Sequence, residues 1–151
     1  MSPTKKASTT GNFTAEERAA MKEYAAELQA EKRRKGSADK AALDLADQLD
    51  KIASLSGDDR VLAEKVHEIV SAAAPQLAPK TWYGMPAYYR DGKPIVFFQP
   101  AGKFKARYST LGFNDGALLD EGKMWATSYA LTTLGPEEEA RIAELVRRAA
   151  G

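Results

Sequence analysis

Aromatic side chains with polar tips are the first residues in this sequence that could do chemistry. Such side chains suit a concave binding site, because they combine a large apolar area with a hydrogen-bonding group. We expect a non-catalytic pocket for a small ligand or a partner protein beside the Tyr-Gly-Met-Pro segment at residues 83–86. Its predicted lining is Trp82, Tyr83, Met85, Tyr88, Phe98, Tyr108 and Trp125. The alternative is that these residues fill the core between a sheet and its helices, since strands favour aromatic side chains.

Glu64, His67 and Glu68 form a second candidate site, for a metal ion. They lie at positions i, i+3 and i+4 of a predicted helix, so their side chains can converge. Carboxylate oxygens with one imidazole accept iron. The alternative is a solvated helix face, because acidic residues next to Lys65 are typical of one. A similar acidic ridge is predicted at Asp44, Asp47 and Asp50.

Lys103, Lys105 and Arg107 define a third candidate, a basic strand face near Arg90 and Lys93. Together with exposed aromatic rings, such a face could hold single-stranded nucleic acid or a phosphorylated ligand. Lysines at a sheet edge also prevent strands of different molecules from pairing. We adopt this second interpretation, since the formal net charge of +1 gives no overall field that would attract nucleic acid.

The sequence offers little for an enzyme mechanism. It contains no cysteine, which excludes thiolate nucleophiles and zinc sites that need sulfur. His67 is the only histidine, so Ser109, Thr110 and Ser128 have no second histidine to activate a hydroxyl. The glycines lie in separate turns and form no phosphate-binding loop. We predict no catalytic residues and no cofactor, with iron as the exception under the metal alternative.

Length and composition are those of one globular domain. The chain has 151 residues, 44% hydrophobic and 28% charged, which is enough for a single core without disulfides. Residues 1–12 carry no apolar run and no later run is long enough to cross a bilayer, so we expect neither a signal peptide nor a membrane span. The prediction is a cytoplasmic monomer or homodimer that binds neither membranes nor nucleic acid.

The N-terminal part of the chain is predicted to be an extension of the main domain. Residues 1–13 are polar and small, which is typical of a flexible tail. Thr14 and Glu17 form a capping box that begins the first helix. Residues 14–36 are therefore predicted as a helical extension, and residues 37–151 as the α+β domain.

Two more helices are predicted before the strands. The second covers residues 37–54 and the third begins at Ser56, with Asp59 completing its cap. Apolar residues at helical spacing predict the buried face of the second helix, with the acidic ridge directed away from it. These apolar residues are Ala42, Leu45, Ala46, Leu49, Ile52 and Ala53.

From Thr81 the pattern changes from helical to extended, and it predicts a four-stranded, mainly antiparallel sheet. The strands are expected within residues 81–90 (interrupted by Gly84 and Pro86), 95–99, 104–112 and 124–131. The Asp91-Gly92 pair predicts a tight hairpin between the first two strands. Gly135-Pro136 followed by three glutamates predicts the start of a closing helix.

The segments Trp82-Tyr83-Gly84-Met85-Pro86-Ala87-Tyr88, Asp91-Gly92-Lys93 and Val96-Phe97-Phe98 resemble the YdhG-like domain family of bacterial proteins. The resemblance covers about residues 52–149. It implies an α+β fold of helices packed on an antiparallel sheet, in a domain family whose function is largely unknown. Part of that family is described as frataxin-like intracellular iron chaperones, which implies an alternative function: binding ferrous iron on exposed carboxylates. The resemblance implies no catalytic residue.

Overall fold

The capping box at Thr14 and Glu17 begins the first helix, as predicted. In the computed structural model of the protein, which describes residues 12–151, the Thr14 hydroxyl accepts a hydrogen bond from the Glu17 backbone N–H. The Glu17 carboxylate accepts one from the Thr14 N–H. This helix, α1 (Ala15–Arg34), confirms the predicted N-terminal helix. The predicted flexible tail lies outside the described residues, apart from residues 12 and 13.

Two further helices, α2 (Lys40–Ser54) and α3 (Gly57–Ala73), precede the sheet. Ser56 makes no side-chain capping bond at the start of α3. Asp59 does not complete a cap there either, since its carboxylate accepts hydrogen bonds from the Gly102 N–H and the Ser109 hydroxyl and so ties α3 to the sheet. Within the described part of the chain, no helix is both long and apolar enough to span a membrane.

Five antiparallel strands form the sheet, in the same order across the sheet as along the chain. They are β1 (Ala78–Trp82), β2 (Met85–Arg90), β3 (Lys93–Gln99), β4 (Ser109–Phe113) and β5 (Ser128–Leu131). The expectation of four strands is wrong, because Tyr83 and Gly84 divide the first predicted strand into β1 and β2. Both residues have positive φ (53° and 76°), and this two-residue hairpin turn pairs Trp82 with Met85.

Two predicted strands are shorter than expected. Residues 104–108 lie outside β4, because the Ala106 N–H donates to the Ala101 carbonyl (2.8 Å) and Lys105 adopts a φ of 56°. Residues 124–127 likewise precede β5. The Asp91–Gly92 turn between β2 and β3 is present as predicted, with φ values of 53° and 78°.

The hydrophobic core lies between the sheet and two helices, α3 and α4 (Pro136–Ala150). Pro136 occupies the first turn of α4 as predicted, and the Glu138 carboxylate accepts a hydrogen bond from the Gly135 N–H. Strand and helix side chains interdigitate in this layer. Its fully buried members include Val66, Val70, Tyr88, Val96, Phe98, Leu111 and Val146.

The buried face of α2 overlaps only in part with its predicted apolar stripe, of which Ile52 alone is fully buried. The buried residues of α2 are Asp44, Gln48 and Ile52, whereas Leu49 is 44% exposed. The face that the sequence pattern assigns to the core is thus partly directed to solvent. The other exposed members of the predicted stripe are Ala42, Ala46 and Ala53.

Polar contacts explain this orientation of α2. Asp44 is held by Arg34 at 2.9 Å and by Lys40 at 2.7 Å, and Arg34 also binds Asp47 at 2.8 Å. The Gln48 side-chain amide donates to one backbone carbonyl in β1 and one in β2, at 2.9 and 2.8 Å. These contacts give partners to Asp44 and to the amide nitrogen of Gln48, which would be costly to bury unpaired. Of the acidic ridge, Asp44 is thus turned inward, whereas Asp50 is exposed as predicted.

Candidate functional site

Three of the seven residues predicted to line one pocket are buried. Tyr88 and Phe98 are 1% and 0% exposed and pack within the core, and Met85 is buried at the start of β2. The Tyr88 hydroxyl lies 3.1 Å from Nδ1 of His67, and burial raises the pKa of Tyr88. The burial of Tyr88 and Phe98 agrees with the alternative that these aromatic residues fill the core between the sheet and its helices.

The other four predicted residues lie in different parts of the surface. Tyr108 and Trp125 are 36% and 38% exposed, and Trp125 borders a separate cleft of about 470 Å³. Trp82 and Tyr83 are half-buried beside the turn that joins β1 and β2. Three of the seven residues therefore lie at the Tyr-Gly-Met-Pro segment: Trp82 and Tyr83, which are half-buried, and Met85, which pairs with Trp82 and is buried.

A row of four aromatic side chains crosses this region; we call Tyr24, Tyr83, Trp82 and Phe97 the aromatic row. Tyr24 of α1 stacks on Tyr83 with ring centres 4.2 Å apart and planes at 7°. Trp82 meets both Tyr83 and Phe97 at 5.2 Å. Gly112 of β4 lies against the end of the row, since a Cβ there would be 2.2 Å from the Phe97 ring. Tyr24 and Phe97 were absent from the predicted pocket lining.

The Tyr83–Gly84 turn is an anion-binding nest. Successive backbone N–H groups of such a turn can point to one side and bind an anion. Here both N–H groups donate to the Glu27 carboxylate of α1, at 2.8 Å each. Glycine is favoured at position 84 because its φ is 76°, and a Cβ there would also displace the Glu23 carboxylate, which lies 2.4 Å from that position. Helix α1 therefore places two acidic side chains on this turn.

A small groove of about 180 Å³ lies between α1 and the β1–β2 hairpin; we call it the ring groove. Tyr24, Trp82 and Tyr89 contribute its aromatic walls, and Glu27 lines it as well. The Lys80 ammonium lies 4.7 Å from the centre of the Tyr89 ring, a cation–π contact. Burial, with a smaller effect of nearby acidic groups such as Glu27, raises the pKa of Tyr89. The groove thus has both aromatic and charged lining residues, the latter being Glu27, Glu31 and Lys80.

Ion pairs hold α1 against the rest of the protein, because this helix buries only Ala20 fully. Four acidic side chains on one side of α1 form ion pairs or hydrogen bonds with the rest of the protein. The contacts are Glu16 with Lys105, Glu23 with Lys51 and Lys103, Glu27 with the nest, and Glu31 with Lys40 and Lys80. Surface ion pairs are individually weak and are screened by salt, so attachment of α1 depends on ionic conditions.

Acid should therefore release α1. Hydrogen bonding from Lys80 lowers the pKa of Glu31 below its usual 4.5, against an opposing effect of burial. Burial of Glu23 also opposes ionisation, but its bonds to Lys103 and Lys51 outweigh it and lower the pKa. Since the folded state binds fewer protons, the stabilisation is complete above pH 4.5 and is lost as the pH falls through the lowered pKa values.

Energy transfer measures this release. The chain has no cysteine, so Gln29→Cys on the exposed side of α1 takes one acceptor dye, and Trp125→Phe leaves Trp82 as the donor. Transfer should fall as the pH is lowered below 4.5, and also in 1 M salt at pH 7. A dye at Ser71→Cys on α3 serves as the control and should report no change. Constant transfer from Gln29→Cys both in acid and in 1 M salt would show that ion pairs do not hold α1.

Glu27 also lines a second cleft, of about 520 Å³, between α1 and α2. Its lining has no aromatic side chain, in contrast to the ring groove, and includes Glu23, Arg33, Arg34, Asp47, Asp50 and Lys51. This cleft was not predicted, because the sequence pattern defines no contact between α1 and α2.

The metal candidates Glu64, His67 and Glu68 border a groove of about 350 Å³ between α2 and α3. Glu64 pairs with Arg60 at 3.1 Å, and burial lowers the pKa of His67. Among residues 12–151, no three histidine, aspartate or glutamate side chains form a group that could hold a metal ion. The geometry therefore lends no support to the iron-chaperone alternative.

The basic candidates do not form one face. Lys103 and Lys105 pair with acids of α1 at 2.8 and 3.1 Å. Arg90 donates hydrogen bonds to backbone carbonyls of Gly116 and of the end of α4. Arg107 lies over the Tyr108 ring, with its guanidinium carbon 5.2 Å from the ring centre. These residues are engaged in separate contacts.

Comparison of the chain with models of protein families finds no match, and comparisons with curated proteins and with solved structures find none either. The resemblance to the YdhG-like domain family remains a prediction. The structure itself defines an α+β protein in which an N-terminal helix is attached by ion pairs. Helix α1 and the β1–β2 hairpin line a groove of about 180 Å³.

Proposed function

We propose that this protein is a non-catalytic binding module that holds one aromatic ring, of a small ligand or of a partner's side chain, in the ring groove. The observation that carries this proposal is the groove itself, walled by Tyr24, Trp82 and Tyr89. Its volume of about 180 Å³ matches the roughly 150 Å³ known to be sufficient for benzene. Stacked or edge-on rings would add attraction beyond the apolar area that they bury.

The charged groups of the groove support binding rather than catalysis. Glu27 accepts two backbone hydrogen bonds, and Glu31 pairs with Lys80 at 2.5 Å. An acid or base that transfers a proton must be within reach of the substrate in the right protonation state. Here these side chains are held by partners within the protein, which suits a role in positioning and selectivity.

Trp82 fluorescence tests the proposal. In a Trp125→Phe background Trp82 is the only tryptophan, and it lines the ring groove. Phenol, p-cresol and phenylacetamide should each change its emission in a saturable way. Tyr89→Ala should weaken binding about tenfold, because it removes both a stacking contact and buried apolar area.

Tyr108→Ala is the matched control, since Tyr108 is a partly exposed aromatic residue that does not line the groove. It should leave the dissociation constants unchanged within about twofold, because it removes no contact with the bound ring. Circular dichroism checks that both variants keep the fold. Failure of all three probes to alter Trp82 emission, or equal effects of both substitutions, would refute the proposal.

A further inference from the structure

The nest beside the ring groove holds a carboxylate that belongs to the protein itself. Glu27 reaches the nest from α1, while its side chain also lines the groove. The two N–H donors, of Tyr83 and Gly84, do not line the groove themselves; Glu27 joins the two places, because its carboxylate binds both N–H groups and its side chain lines the groove next to Trp82. A ligand whose ring enters the groove would therefore bring its substituent close to the position that the Glu27 carboxylate occupies.

The buried position of Gly84 determines which substituent fits there. A buried backbone N–H needs an acceptor, and leaving it unpaired is costly. If the group that displaces Glu27 is an anion, both N–H groups keep charge-assisted hydrogen bonds. Released Glu27 can then leave the nest by rotation about its side-chain bonds. Lys80, which pairs with Glu31, adds a positive charge to the lining of the groove.

A cationic ligand is the competing possibility, because Glu27 and Glu31 both line the groove. To bind a cation directly, Glu27 would have to leave the nest, and its two N–H donors would lose their acceptor. Glu31 would likewise have to leave Lys40 and Lys80, which it contacts at 3.0 and 2.5 Å. A cation would therefore leave donors of the protein without an acceptor. An anion that displaces Glu27 would instead accept the same two hydrogen bonds from the nest.

We infer that the ligand of the ring groove is a small aromatic acid, whose carboxylate or phosphate displaces Glu27 and binds the N–H groups of Tyr83 and Gly84. This inference rests on the proposed function and specifies its ligand class. Glu27 is the built-in competitor of the ligand. Affinity for aromatic acids is reduced by the fraction of molecules in which Glu27 occupies the nest, and weakening its hold raises that affinity.

The experiment compares four probes, phenylacetate, phenyl phosphate, phenylacetamide and benzylamine, by Trp82 fluorescence in the Trp125→Phe protein. Glu27→Gln makes the competitor neutral, and neutral hydrogen bonds are weaker than charge-assisted ones. It should raise the affinity for phenylacetate or phenyl phosphate about tenfold or more, since a competing occupant is weakened. Affinity for phenylacetamide should change less than twofold. Comparison of the two anions identifies whether a carboxylate or a phosphate fits better.

Glu16→Gln is the matched control, because it removes the same charge from α1 at a contact with Lys105 that is outside the groove. It should not raise the affinity for either anion by more than twofold. Amide resonances of Tyr83 and Gly84 give a second measurement in the protein with native Glu27, where saturating phenylacetate should shift both.

The outcomes separate this inference from the proposed function. Binding of phenylacetamide with no gain for the anions in Glu27→Gln would overturn the anion inference and leave the ring groove intact. Tightest binding of benzylamine, weakened by Glu27→Gln, would overturn it in favour of a cationic ligand. Absence of binding by all four probes and by phenol and p-cresol would refute both. An equal gain in Glu16→Gln would show a general charge effect in place of competition at the nest.

Discussion

Replacement of Phe98 by alanine should lower the free energy of unfolding by about 3–5 kcal/mol, the cost of deleting a buried aromatic side chain and leaving a cavity. Phe98 is 0% exposed, pairs with Leu111 across β3 and β4, and packs against α3 and α4 in the core. Because small domains are stable by only about 5–15 kcal/mol, this loss is a large share of the total. Urea unfolding followed by circular dichroism measures it.

Tyr108→Ala is the comparison for Phe98→Ala, because the sequence pattern placed both residues in one pocket although Tyr108 is 36% exposed. We expect Tyr108→Ala to cost less than about 1 kcal/mol, as is usual for substitutions at the surface. If Phe98→Ala instead kept its stability and weakened the binding of ring probes, Phe98 would be a site residue, and the assignment to the core would be wrong.

Features that depend on neighbouring residues were predictable from the sequence. The Thr14 and Glu17 capping box, the Asp91–Gly92 turn and Pro136 in the first turn of α4 all occur where expected. In each case, a few adjacent residues supply the donors, acceptors or backbone conformations that define the structure. This is why the α+β class and most helix boundaries follow from the chain alone.

Features that depend on distant partners were not predictable in the same way. The pattern of α2 places Leu49 in the core, yet Asp44 and Gln48 are buried because Arg34 and backbone carbonyls of the sheet accommodate them. Glu27 meets Tyr83 across 56 positions of the chain. No local pattern marks such a contact, so both the nest and the α1 wall of the ring groove could not be identified from the sequence.

The Tyr83–Gly84 turn lies between these two cases. Gly84 and Pro86 marked an interruption, but Tyr-Gly is not one of the pairs that favour a two-residue hairpin, since a bulky residue seldom adopts positive φ. In the structure Tyr83 adopts a φ of 53°, with its ring stacked on Tyr24 and its N–H bound to Glu27. Helix α1 therefore supplies contacts that offset the unfavourable backbone conformation, which links the N-terminal helix to the centre of the candidate site.

Gly112→Ala should destabilise the protein by about 1–3 kcal/mol, the usual cost of overpacking a filled site. The backbone at Gly112 has no positive φ, so the cost is steric: a new Cβ would lie 2.2 Å from the Phe97 ring. Phe97 must then move, and Trp82, 5.2 Å from it, should move as well. Urea unfolding gives the free energy, and a shift in Trp82 emission in the Trp125→Phe background reports the displaced ring.

A double-mutant cycle separates this clash from any other effect of the methyl group at position 112. With Phe97→Ala already present, Gly112→Ala has no ring to meet, and it should be neutral or stabilise by about 0.5–1 kcal/mol, because alanine loses less conformational freedom on folding than glycine. The two substitutions should therefore be non-additive by about the full cost of the clash, as expected for residues in direct contact. Additive costs would mean that the cost of Gly112→Ala arises in the backbone of β4 and not from contact with the Phe97 ring. Non-additivity would instead identify Gly112 as the residue that sets the position of the aromatic row, and through Trp82 the shape of the ring groove.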